Sequence, residues 1–245
     1  MNLDASWFKS VLTRVFSENG LSSLLNMDRV EKLYTLTLHM LTENEKYNLT
    51  AITDPEKIIL NHYADCAALA KRLPKGARVL DVGCGAGFPT LPMAILRDDI
   101  SVTAMDSTAK RVAYVAGTAE LLGLKNVTAV TMRAEDGAKD PTLRERFDVV
   151  TARAVAELRV LSELCLPYVK VGGVFMAMKG KNVEGELAVA KRAIAILGGR
   201  STRTEAITLT NKEETLSHPL VLVDKKEKTP ATYPRPYAQI SKKPL

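Results

Sequence analysis

Residues 79–93 read VLDVGCGAGFPTLPM. An apolar run closes on Asp81, and Gly83, Gly85 and Gly87 follow at alternate positions before the chain turns apolar again. Glycine at such a place lets the backbone take turns closed to other residues and lets a ligand touch the main chain. The segment is either a tight turn alone or a binding loop at the carboxyl end of a strand, where ligands of open parallel sheets sit. A dinucleotide fingerprint, G-x-G-x-x-G, would place its third glycine at position 88, where Phe88 stands. Asp81 also argues against it, because a carboxylate repels a pyrophosphate but attracts an ammonium through a charge-assisted hydrogen bond or a bridging water.

Outward from this stretch, the texture of the sequence sets the fold class. From Gly76 onward, RVLDV, SVTAMD, NVTAVTM, FDVVTA and VFMAMK alternate with helical runs such as STAKRVAYVAGTAELLG, AELRVLSELCLPYV and EGELAVAKRAIAIL. That alternation predicts βαβ units around a mostly parallel sheet covered on both faces. TEAITLT and PLVLVD, separated by the polar stretch NKEETLSH, predict an antiparallel hairpin at the sheet edge. Before Gly76, Phe8, Val11, Leu12, Val15 and Phe16, and then Val30, Leu33, Leu36, Met40 and Leu41, recur at helical spacing. Asp54 followed by Pro55 predicts a third helix running toward His62 and Asp65. The expected division is therefore a helical extension over 1–72 and an α/β domain over 73–245.

Composition narrows the function. In 245 residues, 46% apolar side chains suffice for a core, and no run approaches the roughly 20 apolar residues of a membrane span or the pattern of a secretory leader. A cytoplasmic protein is expected. Cys66, Cys84 and Cys165 are odd in number and lack metal-type spacing, so reduced thiols are expected, with no metal site. His39, His62 and His218 share no ligand spacing either, and His62 with Asp65 reads as a local structural pair. The net charge of +6 lies almost wholly in the last 21 residues, where Lys225, Lys226, Lys228, Arg235, Lys242 and Lys243 face Glu227 alone. Such a tail is either a solvated end or a strip that neutralises phosphates.

S-adenosylmethionine answers the demands of the glycine stretch, since it combines an ammonium, a nucleoside and no phosphate. Asp106, 19 residues beyond Gly87 at the end of the second strand, either accepts hydrogen bonds from ribose hydroxyls or caps the next helix. Machinery for other targets is missing. The end of the fourth strand reads Thr-Ala-Arg-Ala where amino-group methylation uses an Asn/Asp-Pro-Pro-aromatic stretch, and Cys165 precedes Leu166 rather than following a proline as a pyrimidine nucleophile does.

The chain resembles the RsmG (also called GidB) methyltransferases. The likeness runs through Asn48-Leu-Thr-Ala-Ile, His62-x-x-Asp65, Gly83-x-Gly85-Ala-Gly87-Phe-Pro89, Asp106-Ser-x-x-Lys110-Arg111 and Arg133-Ala-Glu135. It continues in Asp148-Val-Val-Thr-Ala-Arg153-Ala-Val-Ala156, Gly172-Gly173, Lys179-Gly180, Tyr233-Pro-Arg235 and Pro244-Leu245, about four fifths of the chain in order. The resemblance implies a Rossmann-like class I S-adenosylmethionine-dependent methyltransferase fold and methyl transfer to guanine N7 in bacterial 16S ribosomal RNA. It places cofactor contacts on Gly83, Phe88, Ala134, Glu135 and Arg153, beside Asp81, Gly85, Gly87 and Asp106 from the residues themselves. Phe88 and Ala134 otherwise read as packing, Glu135 as a helix cap, and Arg153 as half of an ion pair. Lys110, Arg111, Arg133, Lys179, Lys181, Lys225, Lys226, Lys228 and Arg235 are the candidate RNA contacts, each alternatively a solvated cation. The expected partner is 16S ribosomal RNA or the small ribosomal subunit particle, engaged by a monomer with no membrane and no metal. Cys66, Cys84, Thr90 and the segment Pro236-Tyr237-Ala238 depart from the family pattern.

Overall fold

The computed structural model describes residues 3–153, 156–180, 183–212 and 214–245. Helices α1 (Ala5–Glu18) and α2 (Met27–Tyr47) come first, each begun by a side-chain cap: Asp4 accepts from the Trp7 amide and Asn26 from that of Arg29. The Asp54 cap and Pro55 then start α3 (Pro55–Ile58), which continues without a break through a π-helical stretch (Ile59–Ala64) into α4 (Asp65–Ala70). The α/β part follows as β1 (Arg78–Val82), α5 (Thr90–Leu96), β2 (Ser101–Asp106), α6 (Ala109–Leu121), β3 (Val127–Thr131), α7 (Ala134–Gly137) and β4 (Phe147–Arg153). It is completed by α8 (Leu158–Cys165), β5 (Val169–Met178), α9 (Val183–Ile196), β6 (Gly199–Asn211), β7 (Glu214–Lys225) and a C-terminal α10 (Tyr237–Lys242).

The strands form one seven-stranded sheet in the order β3-β2-β1-β4-β5-β7-β6, parallel from β3 through β5, with β7 and β6 antiparallel. The order reverses between β2 and β4 on either side of β1, so the carboxyl end of β1 lies at the switch point.

Alternation along the strands divides the core in two. Val79 belongs to a cluster on the face covered by α1 to α5, with Phe8, Phe16, Leu36, Tyr63 and Ile95. Its neighbour Leu80 belongs to the opposite cluster, with Val150, Leu164, Phe175, Ile194 and Ile240 from the tail. One continuous apolar cluster thus joins the N-terminal helices to the sheet.

The expected polar loop NKEETLSH is corrected. β6 runs to Asn211 and β7 begins at Glu214, with Thr208 opposite Ser217 and Leu209 opposite Leu216. The polar residues belong to strands because α1 holds the hairpin end: Asn19 bonds both the amide and the carbonyl of Thr210, each at 2.8 Å, and Arg14 donates to Asn211 at 2.9 Å.

Candidate cofactor pocket and its basic rim

A cavity of about 610 Å³ opens at the carboxyl ends of β1, β2, β3 and β4, within the size range of small-molecule sites. The glycine turn makes its floor. Gly83, Gly85 and Gly87 all have positive φ, at 76°, 53° and 84°. A Cβ on Gly87 would lie 2.5 Å from the Leu91 side chain, so only glycine permits this packing of loop on helix. The turn is tied to the second strand, since the amides of Gly83 and Cys84 donate to the Met105 carbonyl and the Gly85 amide donates to Asp106 Oδ2 at 3.1 Å.

Asp106 stands between the start of α6 and the cavity. Its Oδ1 accepts from the Thr108 amide ahead of α6, while the residue borders the cavity, with Arg111 3.5 Å away. Asp81 lies beneath the floor, fully buried. Oδ2 accepts a 2.6 Å hydrogen bond from Thr90, while Oδ1 has no partner. Burial pushes its carboxyl up to about 6, against the lowering influence of the Thr90 hydroxyl and amide and of Arg153. Thr90, one of the departures from the family pattern, therefore holds Asp81. A buried carboxylate oxygen without a partner beside a glycine floor fits the ammonium of an amino-acid group.

The far wall follows β3, where Met132, Arg133, Ala134 and the buried Glu135 line the cavity. The Tyr168 hydroxyl donates to the Ala134 carbonyl at 2.6 Å and fixes this corner. Phe88 is placed differently from the expectation. It stacks on His62 with ring centroids 4.3 Å apart and does not border the cavity, because the apolar helical cover draws its ring into the core.

Arg153 projects from the end of β4 into the same cavity. It donates to the Asn61 carbonyl at 3.0 Å and to His62 Nδ1 at 3.4 Å, and lies 3.7 Å from Asp65. The expected His62–Asp65 pair is corrected: Asp65 binds His218 Nε2 of β7 at 2.6 Å, whereas His62 Nε2 meets Thr50 Oγ1 at 3.2 Å. On one turn of helix the two side chains diverge, one toward β7 and one toward the 48–52 loop. Burial and the Arg153 charge push the His62 imidazole down to about 4, so it is neutral near pH 7, whereas the Asp65 hydrogen bond raises that of His218.

The candidate RNA contacts divide by environment. Lys110, Arg111 and Arg133 are exposed on the cavity rim, and Lys226 and Lys228 are exposed in the tail. Lys225 is corrected: it is fully buried, donating to the Leu166 carbonyl at 2.7 Å and to Thr229 Oγ1, with Glu145 at 3.7 Å. It ends a strand that packs on both faces, and burial lowers its ammonium to about 8. Arg235 is likewise committed, to the buried Glu163 at 2.6 and 2.8 Å. Lys179 is mostly buried against Glu186 at 2.8 Å and the Ala156 carbonyl at 2.7 Å. Lys181 lies outside the described residues.

Sequence reasoning missed Asn48, Leu49, Ser107, Thr108, Met132, Leu164 and Tyr237, which also line the cavity. A signal existed for Asn48: an asparagine just past an amphipathic helix suits its left-handed cap, φ 48°. No local pattern points to Leu164 or Tyr237.

The GidB family model, described as rRNA small subunit methyltransferase G, matches residues 29–216. The chain belongs to this family. The ribosomal RNA small subunit methyltransferase G of Clostridium perfringens strain 13 is 49% identical over 224 residues, covering 90% of this chain and 92% of that one. Its counterpart from Clostridium beijerinckii is 45% identical over 240 residues, covering 97% and 99%. Among solved structures, a precorrin-6y C5,15-methyltransferase from Geobacter metallireducens aligns with a TM-score of 0.53 at 16% identity, over 75% of this chain and 96% of that one. That likeness concerns the fold, and the sheet of the GidB chain is the Rossmann-like class I methyltransferase sheet. Among the described residues no cluster of His, Cys, Asp and Glu is arranged to hold a metal, and no helix is long and apolar enough to cross a membrane.

Proposed function

We propose that this GidB family member transfers a methyl group from S-adenosylmethionine to N7 of a guanine in 16S ribosomal RNA. The observation that carries the cofactor is the buried, half-unpartnered Asp81 beneath a glycine floor, with Asp106 on the adjoining strand. Bound S-adenosylmethionine supplies an electrophilic sulfonium methyl, and guanine N7, a neutral nitrogen with an in-plane lone pair, takes it without losing a proton. No side chain is needed as a general base.

The chain's own residues bind and orient. Asp81 would hold the ammonium and Asp106 the ribose hydroxyls, while Ala134 and Glu135 read the adenine edge. Arg153, which borders the cavity at the end of β4, would position the guanine; oriented juxtaposition of this kind supplies about 7–11 kcal/mol of a barrier. Lys110, Arg111 and Arg133 would meet phosphates at the rim and thereby fix the register of the RNA. Arg133 at 60% and Arg111 at 56% side-chain exposure are both accessible to a partner at the rim. Buried Cys165, whose thiol is pushed up by burial, is not placed as a pyrimidine nucleophile.

The test is incubation with radiolabelled cofactor and 16S RNA, free and as the small subunit particle, followed by reduction and aniline treatment. N7-methylguanosine carries a fixed positive charge that labilises its glycosidic bond, so the label should map to a cleavage site. A label that resists cleavage and elutes as an amino- or ribose-methylated nucleoside rules out N7.

A further inference from the structure

The tail does something that its charge does not announce. Beyond β7 it is clamped onto the α/β core at three points. Arg144 donates to the carbonyls of Thr229 at 2.8 Å and Tyr233 at 2.9 Å. Arg235 donates to the fully buried Glu163 of α8 through its backbone amide, Nε and a terminal nitrogen, at 2.9, 2.8 and 2.6 Å. Ile240 of α10 is fully buried in the cluster that contains Leu164, with Met132 and Ala134 packed against it.

Between the last two clamps stands Tyr237, 43% exposed and bordering the cavity. It is the one aromatic residue of the cavity wall among the described residues. The flat face expected from Phe88 is spent on His62. Met132 and Ala134, which pack against the apolar cluster that Ile240 of the same short helix joins, are also wall residues at the β3 end, and Leu164 of α8, a member of that cluster, borders the cavity as well. That end carries the polar groups suited to an adenine edge, but its described faces are otherwise aliphatic.

We infer that Tyr237 stacks on the adenine ring of the cofactor, so that the tail closes the nucleoside end of the pocket with an aromatic cover. The inference rests on the S-adenosylmethionine reading given above. An adenine has two apolar faces and one polar edge. Offset stacking on a phenol ring gains dispersion and quadrupole energy while the hydroxyl stays in water. The Arg235–Glu163 ion pair and the buried Ile240 on either side of Tyr237 fix the backbone that carries it, so little main-chain ordering remains to be lost on binding.

Calorimetric titration of the full-length chain, without RNA, tests this with S-adenosylmethionine and with adenosine alone. Tyr237→Ala should weaken both ligands by about 10-fold, within the range of base–aromatic stacking, and Tyr237→Phe should bind within about two-fold of wild type. Asp81→Asn should weaken S-adenosylmethionine but leave adenosine nearly unchanged, which separates the two ends of the pocket. Unchanged affinity of Tyr237→Ala for both ligands overturns the inference, including the case in which its KM for RNA rises because the ring stacks on a nucleobase of the substrate. Failure of the wild type itself to bind S-adenosylmethionine would instead sink the cofactor reading on which the inference rests.

Discussion

Asp81→Asn should make the free protein more stable while disabling it. The carboxyl rises from 3.8 to about 6 in the folded chain because burial outweighs its hydrogen bonds and the Arg153 charge. A carboxyl whose folded value is raised binds protons more tightly in the native state, so stability falls as pH climbs from about 4 to 6 and the whole penalty is present at neutral pH. Two units at 1.36 kcal/mol each amount to about 3 kcal/mol. Asparagine keeps the acceptor for the Thr90 hydroxyl and removes the charge, but places an NH2 where Oδ1 had no partner, a cost of about 1 kcal/mol. The net gain of about 2 kcal/mol corresponds to a rise of about 4–8 °C in Tm for a chain of this size. Differential scanning calorimetry at pH 7.5 and pH 4 checks the sign. The variant should melt higher at pH 7.5, and the difference should shrink at pH 4, where the wild-type carboxyl is itself neutral. Added S-adenosylmethionine at 100 times its wild-type Kd should stabilise wild type by about 2.7 kcal/mol and the variant far less. A variant that melts at or below wild type at pH 7.5 refutes the burial penalty. Equal stabilisation by the cofactor refutes the ammonium role.

Asp106→Ala should weaken cofactor binding by about 1–3 kcal/mol, the scale of losing hydrogen bonds to a charged acceptor, with calorimetry as the check. Neutralising Lys110, Arg111 and Arg133 together should flatten the plot of log K for RNA against log salt by about 2, at roughly 0.7 per single-strand phosphate contact. Lys225→Met should leave that slope untouched, because its ammonium faces Leu166, Thr229 and Glu145 rather than solvent. Single-turnover methyl transfer at saturating cofactor should change little between about pH 6.5 and 8.5, without the limb that a general base imposes; a steep basic or acidic limb there would reinstate one. His218, raised by Asp65, contributes stability that is present below its ordinary value of 6.5 and lost as pH rises through the folded one. His218→Gln should therefore flatten the fall in Tm between pH 6 and 8.

What could be read in advance follows the range of the interactions. Asp81, Gly83, Gly85 and Gly87 were legible because one turn contains both the backbone demand for glycine and the carboxylate it presents. The inner parallel strands β1, β2 and β4 were legible because burial on both faces leaves short, nearly unbroken apolar runs. The hairpin's outer half was not, since Thr208, Thr210, Thr215 and Ser217 gain their strand pairing from α1 through Asn19 and Arg14, nearly 200 residues away in sequence. Charge counting in the tail failed for the same reason. Lys225 and Arg235 look like the solvated lysines beside them until β7 carries one inside and the distant Glu163 claims the other. Tyr237 was invisible as a site residue because its position depends on how the tail folds back over α8, and no spacing rule reaches that far.

The helical segment before the sheet is part of the pocket's electrostatics, and the alternation of the strands is why. Asp81 on β1 and Thr151 on β4 are register partners, and Arg153 lies two residues beyond Thr151, so the three share the face that α3, the π-helical stretch and α4 cover. That cover supplies the Asn61 carbonyl and the Asp65 carboxylate that hold the guanidinium, and β7 supplies His218 to Asp65. Charges therefore alternate inward from the hairpin: His218, Asp65, Arg153, Asp81. His218 bonds Asp65, and the Arg153 charge lowers the Asp81 carboxyl and borders the cavity, with 23% of its side chain exposed. Residues remote in sequence from the glycine turn, on the helical segment and on the edge hairpin, thus hold Arg153 at the cavity and, through its charge, bear on the Asp81 carboxyl.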